Sequence, residues 1–136
     1  PAAVAGTPMD FSTPHLIGER IDTDTDQLRW ARGYDHTYIL DKELGKLAIA
    51  SRCSSPKTGI VMEVYTDQPG VQLYTGNWMS GNLRGKHDHR YPARAALCLE
   101  TQHYPDSPNK PEYPSTRLNP GETFRSTTIF RFTLKA

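Results

Sequence analysis

Long apolar runs are missing from this 136-residue sequence, in which hydrophobic residues make up 36%. None approaches the ~20 residues of a transmembrane helix, which excludes a helical membrane protein. Charge of one sign is missing too. Sixteen Lys and Arg stand against fifteen Asp and Glu, a net charge of +1, spread along the chain without blocks. That balance argues against a polybasic nucleic-acid binder and a charge-steered membrane binder, so neither nucleic acid nor membrane is expected as a partner. Cysteine is scarce: Cys53 and Cys98 are too few for a disulfide framework. Each falls in an expected strand and reads as a small buried thiol, with a bridge between them left open. A cytoplasmic location is the working expectation, with the periplasm and secretion as alternatives.

The signatures of several chemistries are absent as well. There is no Gly-x-Ser-x-Gly, no Gly-x-Gly-x-x-Gly and no phosphate loop. The start, Pro1-Ala2-Ala3-Val4-Ala5-Gly6, has neither an initiator Met nor the basic-then-apolar layout of a signal peptide, and reads as a chain entered partway. No internal repeat or boundary is evident, so residues 1–136 are read as part of one domain.

What is present is β-patterning. Phe124, Thr128, Phe130, Phe132 and Leu134 share one parity, while Arg125, Thr127, Arg131 and Thr133 take the other, which predicts a strand with one buried face. Residues 47–53 and 60–66 flank Pro56-Lys57-Thr58-Gly59, a hairpin pattern. Further strands are expected at 70–75 and at 94–100, the latter apolar enough to be buried on both faces. Helix is expected in less than a tenth of the residues. The best candidate is a short one near Pro14–Ile21, and the Asp/Thr alternation of Thr23–Gln27 favours turns. From His103 to Gly121, five prolines predict a long stiff loop, ordered by Tyr104 and Tyr113.

Three polar residues stand out. Asp35 lies in Gly33-Tyr34-Asp35-His36, a break before the apolar run Tyr38-Ile39-Leu40. Glu100 ends an apolar run, Leu97-Cys98-Leu99, and is followed by Thr101-Gln102-His103. A carboxylate placed so tends to lose hydration, which raises its pKa towards the range useful to a general base. Structural alternatives stay open: Glu100 paired with Arg94 or another arginine, Asp35 as a turn or cap carboxylate, Gln72 as an ordinary half-buried strand residue. Trp30, Trp78 and Tyr74 suit either sugar stacking or a core. Lys86-His87-Asp88-His89 has a metal-like histidine spacing without further ligands nearby, and reads as a solvated polar turn.

Four segments carry a family resemblance: Val4-Ala5-Gly6-Thr7-Pro8-Met9-Asp10-Phe11, Gly33-Tyr34-Asp35-His36, Gln68-Pro69-Gly70-Val71-Gln72-Leu73-Tyr74-Thr75-Gly76-Asn77 and Leu99-Glu100-Thr101-Gln102-His103-Tyr104-Pro105-Asp106. In this order and spacing the chain resembles the C-terminal part of the galactose mutarotase (aldose 1-epimerase) family. The resemblance implies an all-β antiparallel supersandwich that interconverts the anomers of free hexoses such as galactose and glucose. It implies Glu100 as the general base at the anomeric hydroxyl, and Asp35 and Gln72 as sugar-binding groups. Those three side chains are expected within the ~10 Å span of one hexose. It implies no metal or organic cofactor.

The family's acid histidines and its sugar-binding arginine lie in segments upstream of those matched. None of His15, His36, His87, His89 and His103 stands in such a context, though His36 and His103 neighbour matched residues. The expectation is therefore a C-terminal portion with half of the acid–base machinery, inactive by itself. Its partners would be a hexose and, where the upstream part exists as its own polypeptide, that N-terminal fragment. The alternatives are a non-catalytic carbohydrate-binding β-sandwich and a structural one.

Overall fold

A computed structural model describes residues 1–135. Its helices are short, α1 (Ile17–Arg20) and α2 (Asp26–Ala31). The strands are β1 (Asp35–Ile39), β2 (Ala48–Ser54), β3 (Ile60–Thr66), β4 (Gly70–Tyr74), β5 (Ser80–Arg84), β6 (Arg90–Pro92), β7 (Cys98–Gln102) and β8 (Thr128–Leu134). The expected β-class and the hairpin around residues 56–59 are both found. Two compact units divide the chain, one of Pro1–His36 with Tyr74–Cys98, the other of Thr37–Leu73 with the chain from Leu99 onward.

The first unit is built around Tyr34. The Asp/Thr alternation does make a turn, Thr25 N–H donating to the Thr23 carbonyl, but α2 begins at Asp26 and buries Leu28. The helix stops where Arg32 turns left-handed (φ 58°) and Gly33 N–H donates to the Leu28 carbonyl. Tyr34, with no exposed surface, donates its hydroxyl to the Pro8 carbonyl at 2.9 Å and meets the Phe11 ring edge-on at 5.2 Å. With Thr75 and Asn77 hydrogen-bonded to the Tyr34 backbone, three of the four motif segments meet in one small core. The β5–β6 hairpin, with a 3₁₀ turn at Lys86–Asp88, stands where the sequence showed only a polar loop, because Ser80-Gly81-Asn82-Leu83-Arg84 carries no apolar alternation.

Residues 93–97 correct the strand expected at 94–100. Arg94 takes φ 64° and donates through its guanidinium to Asp22 at 2.7 and 2.9 Å and to the Arg32 carbonyl, so the segment turns and ladder pairing starts only at Cys98. It is mostly exposed and not buried on both faces.

In the second unit, β2, β3 and β8 form a sheet in that order, antiparallel throughout. One face carries a charge ladder: Arg52, Glu63 and Arg131 are neighbours across the three strands, with N···O distances of 3.7 and 3.5 Å. The other face is apolar, with Val64 opposite Phe130 and Met62 opposite Phe132. The parity read from the sequence holds from Thr128 to Leu134, but the strand expected from Phe124 onward begins only at Thr128, with Phe124, Arg125 and Thr127 outside it. The expected burial of that face is not found. Phe132 is 64% and Leu134 75% exposed, whereas Val64 is fully covered. Alternation encodes the chemistry of a face and says nothing of the layer that covers it.

The proline-rich loop is anchored as expected. Tyr104 meets Tyr113 edge-on at 5.3 Å and packs over Gly70, where a Cβ would come within 3.2 Å of its ring. Ser107, buried, donates its hydroxyl to the Tyr104 carbonyl at 2.6 Å.

Candidate active site

In the second unit, β1 from Thr37, β4 up to Leu73 and β7 from Leu99 lie side by side in the order β1-β4-β7. Val71 and Leu73 are buried, and between them Gln72 projects to the other face, half-buried. The Thr37 hydroxyl donates to Gln72 Oε1 at 2.6 Å, and Gln102 Nε2 lies 3.4 Å from Thr37 Oγ1 and 3.5 Å from Gln72 Oε1. Thr37, Gln72 and Gln102 therefore share one face of three neighbouring strands. Side chains two apart on a strand point the same way, so Glu100 stands on that face with Gln72. Glu100 is exposed, against the desolvation its apolar approach suggested, because only Leu99 of that run is even half-buried within β7.

His103 follows, its Nδ1 2.8 Å from Oε1 of the buried Gln68. A carboxamide oxygen only accepts, so the proton sits on Nδ1 and the neutral ring presents Nε2 as an acceptor.

Asp35 belongs to the first unit, where it is half-buried at the start of β1. Its backbone N–H donates to His36 Nδ1 at 3.0 Å, which places the neutral ring's proton on Nε2. Burial pushes the His36 pKa below its ordinary value, the nearby Asp35 charge only partly opposing it. The Tyr34 hydroxyl is raised, chiefly by burial.

Other candidates resolve differently. Trp30 and Trp78 are 68% and 56% exposed, so neither is a core residue, and Arg32 lies 4.4 Å over the Trp78 ring. Arg94, offered above as a partner for Glu100, holds Asp22 instead. The rings of His87 and His89 are 6.4 Å apart on an exposed turn. Cys53 and Cys98 are free thiols, the first half-buried and raised in pKa by that burial, the second exposed, which corrects its reading as a buried thiol. Two clefts in the first unit, of about 190 and 400 Å³, are lined by residues such as Asp22, Arg94, Pro8 and Arg20, and neither includes Asp35.

Four residues were missed as functional candidates: Thr37, Gln102, Thr75 and Asn77. Gln102 had a signal, since it follows Glu100 by two and so faces the same way. Thr75 and Asn77 lay inside a quoted segment, but nothing local marks a buried polar side chain as a partner of a residue forty positions earlier.

A family model for aldose 1-epimerase matches residues 1–131. The galactose mutarotases of Mus musculus and Homo sapiens are 41% and 40% identical over 133 residues, each match covering 98% of this chain and 37% of the relative. The aldose 1-epimerase of Escherichia coli (strain K12) is 36% identical over 133 residues, covering 96% of this chain and 38% of that protein. A solved structure of a GalM/aldose epimerase homologue from C. elegans matches with a TM-score of 0.81 at 24% identity, over 98% of this chain and 39% of that one. The fold is thus the all-β, mostly antiparallel fold of a mutarotase-like protein. The chain belongs to the aldose 1-epimerase family, and it spans 37–38% of the length of these curated relatives.

Proposed function

We propose that this chain supplies the general base and part of the sugar-binding surface of an aldose 1-epimerase acting on free hexoses such as galactose and glucose. The observation that carries this reading is Glu100 sharing a face of neighbouring strands with Gln72, within a chain 41% identical to a galactose mutarotase. Asp35 is assigned to the same sugar, as a carboxylate accepting from its hydroxyls.

The chemistry follows from the hemiacetal. Glu100 takes the proton from the C1 hydroxyl as the C1–O5 bond breaks, and an acid gives a proton to O5, yielding the open-chain aldehyde. Rotation about C1–C2 presents the other face of the carbonyl. O5 then attacks C1, the acid's conjugate base takes back the O5 proton, and Glu100 returns its own to the new C1 hydroxyl. Protons and electrons balance without any redox partner. The acid is assigned to a histidine of the portion of the family domain outside the matched 37%, and where that portion exists as its own polypeptide it is the proposed protein partner.

Polarimetry with α-D-galactose and α-D-glucose tests this, on the chain alone and on the chain joined to the remainder of the family domain. Mutarotation well above background in the joined form, lost with Glu100, is the expected result. Galactose binding by calorimetry without mutarotation in the joined form would favour a non-catalytic sugar-binding module instead.

A further inference from the structure

We infer that Thr75 and Asn77 are positioning residues for Asp35, a role that rests on the sugar-binding assignment of Asp35 above. All the groups concerned lie in the first unit. The Tyr34 carbonyl accepts from Asn77 Nδ2 at 2.9 Å and from Thr75 N–H at 3.1 Å. Thr75 Oγ1 accepts from Tyr34 N–H at 3.1 Å and donates its one proton to Asn77 Oδ1 at 2.6 Å, which fixes the way the Asn77 amide faces. Thr75 and Asn77 are both buried.

The bond from Tyr34 N–H holds the preceding Gly33–Tyr34 peptide, while the two to the Tyr34 carbonyl converge on the next peptide group, the one joining Tyr34 to Asp35. A peptide is planar, so holding its two ends holds the whole plane. Its oxygen is held by two donors, and its N–H, that of Asp35, donates to His36 Nδ1 at 3.0 Å. The position of the Asp35 Cα and the direction of its chain follow from that plane. Gly33 completes the fit: at φ 143° a Cβ there would lie 2.4 Å from Asn77 Oδ1 and 3.0 Å from Thr75 Oγ1. Gly76, at φ 65°, turns the chain between Thr75 and Asn77 so that both reach Tyr34.

Packing alone does not ask for this arrangement. Burying an amide and a hydroxyl is costly unless every group is matched, and apolar side chains of similar volume fill a core without that demand. A binding carboxylate, however, must be held to within about 0.5 Å of its working place, and a closed polar ring does that.

The test is D-galactose titration by calorimetry of the chain joined to the remainder of the family domain, with Asp35→Asn, Asn77→Asp, Thr75→Val, Thr75→Ser and the double variant Asp35→Asn/Asn77→Asp, alongside amide exchange at Tyr34 and Asp35. Asn77→Asp and Thr75→Val are each expected to raise Kd about three- to tenfold, the range of one lost hydrogen bond. Thr75→Ser keeps the hydroxyl and is expected to restore both affinity and the slow exchange of the Tyr34 amide. In the Asp35→Asn background, Asn77→Asp is expected to add nothing, because its effect runs through Asp35. Additive losses, or wild-type affinity in both Asn77→Asp and Thr75→Val while Asp35→Asn binds weakly, overturn the positioning role alone. Galactose binding that is absent, or untouched by Asp35→Asn, removes the assignment of Asp35 and this role with it. Should Asn77→Asp fail to fold, the Thr75→Val and Thr75→Ser pair decides.

Discussion

Val64 and Phe130 are direct partners across β3 and β8, yet Val64 has no exposed surface and Phe130 is 49% exposed. The edge of the covered area therefore passes between two side chains on one face of one sheet. Thr66 lies on the covered side with Val64, and Ile60, Phe132 and Leu134 on the open side.

Stability should register that edge. Val64→Ala removes two fully buried methyl groups and is expected to cost about 1.5–3 kcal/mol. Leu134→Ala removes more carbon from an exposed site and is expected to stay within about 0.5 kcal/mol. Urea midpoints of the two variants check this. A large loss for Leu134→Ala that grows with protein concentration would mean that the face is covered by association.

A pH dependence follows from His36. Burial lowers its folded-state pKa below the ordinary 6.5, so the folded chain favours the neutral ring and the unfolded chain takes up a proton more readily. The stability tied to this group is complete above about pH 6.5, and it is lost as pH falls from there through the lowered folded value. Thermal unfolding followed from pH 8 to pH 5 should show a falling midpoint, and His36→Gln should flatten that part of the curve. An unchanged slope in the variant would assign the dependence to other groups.

The thiols should separate by reactivity. Cys98 is exposed, while burial raises the Cys53 pKa and leaves little thiolate there at neutral pH. Alkylation with iodoacetamide at pH 7.5, followed by peptide mass mapping, should label Cys98 first and Cys53 mainly after unfolding. Equal rates at the two positions would contradict the burial of Cys53.

The sequence reveals strands wherever a face alternates or a turn has the right chemistry. Ile60–Thr66 and its hairpin partner were legible because Pro56 to Gly59 stop both runs, and Gly59 does sit at φ 71°. The 94–100 region misled because Ala95, Ala96 and Leu97 are apolar whether they pair or turn, and the deciding contact, Arg94 with Asp22, spans 72 positions. At the candidate site, Gln72 and Glu100 were singled out through segments that resemble the family's, and the structure puts both on one face of neighbouring strands. Thr37 was not, since a threonine in a strand looks the same with or without a glutamine beside it on the next strand. Pairing between distant strands is a property of the fold, and single-strand periodicity carries none of it.

The last expectation concerns Glu100 and the rate. A positioned general base contributes roughly 10²–10⁴-fold, equivalent to ~3–5.5 kcal/mol of barrier. In the chain joined to the remainder of the family domain, Glu100→Gln keeps the size and hydrogen-bonding reach of the side chain but removes its basicity, so kcat should fall by about that factor with KM little changed. Asp35→Asn should do the opposite, raising KM with a smaller effect on kcat, because sugar hydroxyls are bound alike in the ground and transition states. The chain alone should stay near background, since Glu100 without a positioned acid leaves O5 to be protonated by water. Polarimetry across these forms separates the roles. Strong mutarotation by the chain alone would require an acid within it, and His36, with its proton on Nε2, and His103 would be the first to replace.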